Sequence, residues 1–374
     1  MASSPAPARA PGRPHPSAGG EARPDLLGLP KARLRELLAP LIDKPFRIDQ
    51  IYRALNEQSV RDFAEMSSLS KTLRGQLAER FRVGRPVVDQ AHRASDGTVK
   101  YLFRLHDGAT IEAVDIPDGS RRTLCISSQA GCSLACRFCV TGYWGAGRNL
   151  TAGEILGQVL EVEERPQPET HGLNLVFMGM GEPLLNLRNL RDALDILLDR
   201  ISWRRITLST AGVLPGLEEM ASWQRRPQLA ISLHAPDDRR RDELMPINRR
   251  YPLGELIPFL ARFPLAPKER VTFEYLMLDG YNDSLEDADL LAALLAEVRS
   301  KVNLIPLNPD PVLDGRLQPS PTHRVKAFQK RLMARGVTTT VRRQRGDDVS
   351  AACGQLRAPG RDPRGFRRQA DLSL

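Results

Sequence analysis

Residues 123–142 read TLCISSQAGCSLACRFCVTG. The first five look like a short apolar strand. Cys132, Cys136 and Cys139 then follow in C-x3-C-x2-C spacing. On an ideal helix these three positions share a face, and buried cysteine can be simple core filler. Gly131, Gly142, Gly145 and Gly147 interrupt such a helix and argue for a loop. A structural zinc needs a fourth ligand; no other Cys or His lies in the loop, although a distant residue could supply one. Three thiols in a glycine-rich loop therefore point to a cysteine-held metal centre and leave open what fills its fourth place.

From residue 121 onwards, short apolar strands alternate with longer helical patterns. The strands are TLCIS, LNLVFM, RITLS, QLAIS, VTFEYLML, KVNLIP and TTTVR. The helices include AGEILGQVLEVEE, LRNLRDALDILLD, PLGELIPFLARF, EDADLLAALLAEVR and THRVKAFQKRLMAR. This alternation predicts parallel βα units. Six or seven units suit an open or partial barrel, with a doubly wound sheet as the alternative. Polar and glycine-rich residues recur where the strands end: the cysteine loop, Met178 to Pro183, Ser209-Thr210, Ser232-Leu233-His234 and Pro306-Leu307-Asn308. Active sites of parallel α/β folds gather at those ends.

Upstream, KARLRELLAPL, FRIDQIYRAL and LSKTLRGQLAERF carry apolar residues at helical spacing. RPVVDQAHRA, TVKYLFRLH and ATIEAVDIP read as strands joined at the hairpin dipeptides Asp96-Gly97 and Asp107-Gly108. The expected organisation is a disordered tail (1–24), a helical accessory domain (25–85), a β-hairpin extension (86–120), a partial (β/α)6 TIM-like barrel (121–343), and a cysteine loop with a basic tail (344–374). The Pro/Ala/Gly-rich start lacks the apolar surface to fold and has no secretory h-region.

The net charge of +9 points to a polyanionic partner, most simply nucleic acid. No apolar run reaches the length of a membrane span. Five cysteines, three of them crowded together, do not form a disulfide framework, so a cytoplasmic protein is expected. Beyond the loop, Cys125 lies on the strand that feeds it and reads as core filler. Cys353 sits in the polar stretch RGDDVSAACGQL, near Arg342, Arg343 and Arg345. Cationic neighbours favour a reactive thiolate.

C-x3-C-x2-C with an aromatic, Phe138, between the last two cysteines resembles the cluster loop of radical S-adenosylmethionine (SAM) enzymes. The resemblance implies a [4Fe–4S] cluster on Cys132, Cys136 and Cys139, whose open iron takes the amino and carboxylate groups of SAM. GMGEP resembles the segment of those enzymes that receives the SAM amino group.

A narrower resemblance covers residues 25–356. TLCISSQAGCSLACRFCVTG, MGMGEPLLN, TLSTAGVLPGL, AISLHAPDDRRRDELMPINRRY, NLIPLNP and RRQRGDDVSAACGQL together resemble the RlmN/Cfr family of RNA adenine methyltransferases, and KPFRIDQIYRAL with DFAEMSSLSKTLR resembles its accessory domain. The family's chemistry implies two SAM molecules per turnover. One methylates Cys353; the other supplies a radical that takes hydrogen from that methyl group, and the resulting carbon radical adds to adenine. Cys125 matches the cysteine that resolves the protein–RNA bond through a disulfide with Cys353. Glu112 matches a glutamate treated as a proton acceptor; unaided it reads as a solvated strand residue. Matching SAM positions are Gly181, Glu182, Ser209, Ser232, Leu233, His234 and Asn308. The chain departs from the family pattern at Tyr143-Trp144-Gly145-Ala146, where relatives often carry a Gly-Phe pair, and in the loop PDPVLDGRLQPS after Asn308.

The resemblance implies methylation of C2 of an adenine in 23S rRNA and in some tRNAs, a low-potential electron donor such as flavodoxin or ferredoxin, and a monomer. An adenine carbon becomes reachable only when the base leaves its stack. The alternatives are the C8-methylating branch of the family, which confers ribosomal antibiotic resistance, and a non-catalytic iron–sulfur RNA-binding or redox-sensing protein.

Overall fold

The computed structural model describes residues 23–165, 172–313, 315 and 317–357. The terminal tails expected from composition lie almost wholly outside these residues. The chain begins with α1 (Lys31–Leu38), α2 (Phe46–Asn56) and α3 (Lys71–Arg80). In α2, Ile48, Ile51, Tyr52 and Leu55 are buried, the stripe that a 3.6-residue period places on one face. Ser70 caps α3, its hydroxyl accepting from the Leu73 amide at 3.2 Å.

Next come β1 (Val87–Arg93), β2 (Val99–Arg104), β3 (Thr110–Asp118) and β4 (Arg121–Cys125), an antiparallel meander. Its first two turns place Gly97 and Gly108 at φ of 86° and 82°, the left-handed region that the Asp-Gly dipeptides predict. From β4 the chain winds in one direction through α4 (Val140–Tyr143), α5 (Ala152–Glu163), β5 (Leu173–Phe177), α6 (Leu187–Arg200), β6 (Ile206–Thr210), α7 (Leu214–Ala221), β7 (Gln228–Ser232), α8 (Asp238–Leu244), α9 (Leu253–Ala261), β8 (Val271–Met277), α10 (Leu285–Leu294), β9 (Ser300–Pro306), α11 (Thr322–Ala334) and β10 (Thr339–Val341).

Strands β4 to β10 pair in parallel, in sequence order. Six strand–helix units thus lead to a terminal seventh parallel strand. The sheet stays open, with β1 and β10 as its edges. The meander is no separate layer, since β3 pairs directly with β4 and sets Val114 opposite Cys125. The N-terminal helices share one continuous apolar core with the sheet. Arg61 and Arg85 reinforce that junction, donating to Glu161 at 2.8 Å and to Glu164 at 2.5 Å respectively.

Helices α5 and α10 open with reciprocal capping boxes, Thr151 with Glu154 and Ser284 with Asp287. Periodicity does not signal α7 or α8. The first has Pro and Gly in its opening turns. The second, DRRRDEL, buries only Arg241 and Leu244.

Candidate active site

The ends of five parallel strands open onto one cavity. Phe177 and Met178 come from the end of β5, Ser209 and Thr210 from β6, and Ser232 from β7. Glu274 and Leu276 come from β8, and Ile305 from β9. Cys132, Cys136 and Cys139 form another wall, with Phe138 and Thr141.

Of the expected SAM residues, Gly181, Glu182, Ser209, Ser232 and His234 line this cavity. Leu233 is buried behind it, its amide bonded to the Glu274 carbonyl at 3.0 Å. Asn308 belongs to an adjoining cavity. Gly181 has φ of 96°, and a Cβ there would meet the Gln129 side chain at 2.5 Å, so the GMGEP backbone lies flush against the segment that follows β4. Gln129 seals the contact by accepting from the Glu182 amide at 2.8 Å.

Glu182 is buried, and its carboxylate is already engaged. It accepts from the Leu184 amide at 3.0 Å and the Ala211 amide at 2.8 Å. Burial raises its pKa against those bonds. Glu182 thus clamps the β5 loop to the end of β6. His234 takes a left-handed φ of 61°. Its Nδ1 accepts from the Leu276 amide at 3.1 Å, and Phe138 meets its ring edge-on at 4.6 Å. Burial pushes its pKa down to about 3, keeping the ring neutral.

Sequence reading missed Arg241, which is fully buried. Its guanidinium donates to the carbonyls of Ala211 (2.6 Å), Ser232 (3.1 Å) and Leu233 (3.2 Å), and to Asn248. It ties the ends of β6 and β7 together. One of three consecutive arginines in a charge-dense run looks like solvated surface, so only the tertiary structure reveals it.

The donor set fits a cluster of iron and sulfide. Burial pushes the Cys132 thiol up to about 12 and Cys136 well above its ordinary value, so these thiols ionise only beside strong positive charge such as iron. Among the described residues no three His, Cys, Asp or Glu side chains converge on one point as a single ion requires. A cubane needs no such convergence, because each thiolate binds a different iron corner. The departure at Tyr143-Trp144 is absorbed into packing around this loop: Trp144 is buried, and Tyr143 donates to the Arg137 carbonyl at 3.0 Å.

Cys353 lines both this cavity and a second, polar one built from Arg342, Arg343, Arg345, Gln344 and Asn308. Cys125, the last residue of β4, is buried close by. Burial first, then the neighbouring Cys353 sulfur, pushes its thiol up to about 12. All five cysteines are free, so the expected Cys125–Cys353 disulfide is not formed in this structure. Arg342 lies between these groups; burial opposes its charge, but Cys353, Glu274 and Cys125 outweigh that and raise its pKa. Glu112 lines neither cavity; its carboxylate accepts from the Arg357 amide at 2.8 Å and pairs with Lys100 at 3.3 Å. The unusual loop after Asn308 docks the same terminal segment, Pro309 accepting from Gln355 at 3.0 Å and Asp310 pairing with Arg357 at 2.6 Å. No helix among the described residues is long and apolar enough to cross a membrane.

Comparison with known proteins agrees with this geometry. Residues 126–292 match the Radical SAM superfamily, and residues 24–83 match the Ribosomal RNA large subunit methyltransferase N-terminal domain. The dual-specificity RNA methyltransferase RlmN of Anaeromyxobacter sp. (strain Fw109-5) is 46% identical over 94% of this chain and 96% of its own length. Its counterpart from Halorhodospira halophila is 48% identical over 91% and 95%. The crystal structure of a radical SAM methyltransferase from Sphaerobacter thermophilus superimposes with a TM-score of 0.82 at 42% identity, covering 89% of this chain and 99% of that one. The chain therefore belongs to the RlmN family of dual-specificity RNA methyltransferases, within the radical SAM superfamily.

Proposed function

We propose that this enzyme methylates C2 of an adenine in 23S rRNA and in some tRNAs, passing the carbon through Cys353. The single observation that carries the reading is the position of Cys353 on the wall shared by two cavities. One side holds the cluster thiols; the other presents Arg343, exposed and suited to a nucleotide's phosphate, beside Arg345, which pairs with Asp118 at 2.7 Å. A carrier thiol has to face both the methyl donor and the base.

A cluster bound here would supply the low-potential electron for reductive cleavage of SAM. Cys132, Cys136 and Cys139 would hold it. Gly181, Ser209, Ser232 and His234 would line the SAM site, with Glu182 and Arg241 fixing the strand ends beneath. Two SAM molecules would serve each turnover: the Cys353 thiolate takes the methyl group of the first, releasing S-adenosylhomocysteine, and the adenosyl fragment cleaved from the second takes a hydrogen atom from that methyl group and leaves as 5′-deoxyadenosine. The resulting carbon radical on Cys353 would add to C2 of the unstacked adenine, and the adduct would return its unpaired electron to the electron-transfer partner and lose the C2 proton. Cys125, near Cys353 at the end of β4, would then attack the Cys353 sulfur, breaking its bond to carbon; the carbon takes a proton and leaves as the methyl group, and the disulfide formed must be reduced before the next cycle. A flavodoxin or ferredoxin would deliver the low-potential electron.

The test is anaerobic incubation of the reconstituted enzyme with SAM, reductant and fragments of 23S rRNA or tRNA, followed by mass spectrometry of nucleosides against C2- and C8-methyl standards. The expected product is 2-methyladenosine. An 8-methyl product, or none with an intact cluster, would overturn the reading.

A further inference from the structure

The segment that carries Cys353 has no regular structure beyond one 3-10 turn at Asp347–Val349, yet it is tied down along its length. The Gly346 amide donates to Asp96 at 3.1 Å, and the Ser95 amide donates to Asp348 at 2.8 Å. The Cys353 carbonyl accepts from Asn308 at 3.1 Å, and the Gly354 carbonyl accepts from the Val140 amide at 2.7 Å. The Leu356 carbonyl accepts from the Thr141 hydroxyl at 2.9 Å.

One pair grips the segment on both sides of the cysteine. Glu112 on β3 accepts from the Arg357 amide at 2.8 Å. Lys100 on β2 pairs with Glu112 at 3.3 Å and donates to the Ser350 carbonyl at 3.3 Å. Both residues are buried, at 4% and 8% exposure. Register places Lys100 opposite Val114 and Leu102 opposite Glu112, so the two lie diagonally on neighbouring strands. Strands of a hydrogen-bonded sheet are a rigid mount, whereas a segment of thirteen residues (345–357) without strand or α-helix is not.

We propose that Glu112, with Lys100, is a positioning residue that latches the Cys353 segment so that the sulfur stands between the two cavities. Glu112 lines neither cavity, so it acts through Cys353. The assignment rests on Cys353 being the carbon carrier, but its test reads the sulfur without RNA.

The full-length, cluster-loaded enzyme is alkylated with iodoacetamide in the absence of SAM, and labelling is followed at each cysteine by peptide mass spectrometry. E112A and K100M should each speed Cys353 labelling about tenfold, the scale of losing one or two buried hydrogen bonds. E112Q keeps an acceptor for the Arg357 amide and should change it less, about threefold. Cys125 labelling and cluster absorbance should stay at wild-type values; general loosening of the fold would move both. Hydrogen exchange should rise at residues 345–357 in the same variants. K100M leaves the glutamate in place, so the proposal stays testable if E112A fails to fold. Labelling of Cys353 within twofold of wild type in K100M, or in an E112A enzyme that no longer methylates RNA, would overturn the latch. Absence of 2-methyladenosine from the wild-type enzyme, with the predicted labelling changes in the variants intact, would instead count against the proposed reaction alone.

Discussion

Asn308 donates from its Nδ2 to the backbone carbonyl of Cys353 at 3.1 Å, and its own Oδ1 accepts from Gln344 at 2.8 Å. Resemblance assigns Asn308 to SAM; in this structure its amide grips the backbone of Cys353. Asn308→Ala should therefore slow self-methylation of Cys353 by about three- to tenfold, the worth of one such bond, with little change in SAM affinity. Intact-protein mass spectrometry and calorimetry separate the two. A large loss of SAM binding with normal Cys353 methylation would refute this.

Cys353→Ala should abolish methyl transfer while the visible absorbance of the cluster persists. Cys125→Ala should accumulate a covalent protein–RNA adduct, visible as a shifted band on a denaturing gel. Recovery of only unlinked RNA from the Cys125 variant would remove that residue from the release step.

Glu182→Gln turns one acceptor oxygen towards a buried amide as a donor. With Leu184 and Ala211 both donating to the carboxylate, the variant should lose about 1–3 kcal/mol of stability. Urea unfolding under nitrogen measures it; a midpoint equal to wild type would show that the clamp carries no weight.

Burial raises the Glu112 pKa above its ordinary 4.5, against the opposing pull of Lys100 and of the Arg357 amide. For a group raised in the folded state, the stabilisation is fully present below the unfolded pKa and is lost as pH rises through the folded one. Wild type should therefore lose stability relative to E112Q as pH increases upward from about 5. Parallel urea titrations from about pH 5 to pH 8 give the sign directly, and a wild type that gains on the variant over that range contradicts it.

Arg343 is exposed at the rim of the polar cavity. If it meets a phosphate, Arg343→Ala should weaken RNA binding at low salt and reduce the slope of log affinity against log salt by about one. An unchanged slope would send the RNA elsewhere.

The sequence alone determined the chemistry and most of the frame. Strand–helix alternation from residue 121 is a local signal, written in periodicity and in Gly and Asp at the turns. The parallel βα course follows from it, as do the loop positions of Cys132, Cys136 and Cys139 and the placing of Ser209, Ser232 and His234 at strand ends. The three-cysteine spacing is equally local, because one short loop makes the ligand set. Only the tertiary structure decided which distant residues meet. It set Cys353 between two cavities and beside Cys125, more than two hundred residues earlier in the chain. It buried Arg241 under two strand ends, and it turned Glu112, Glu182 and Asn308 inward onto backbone amides and carbonyls. Hydrogen bonds between segments far apart in sequence leave no periodic trace, since each depends on how the sheet is assembled and not on the neighbours of the residue that makes it.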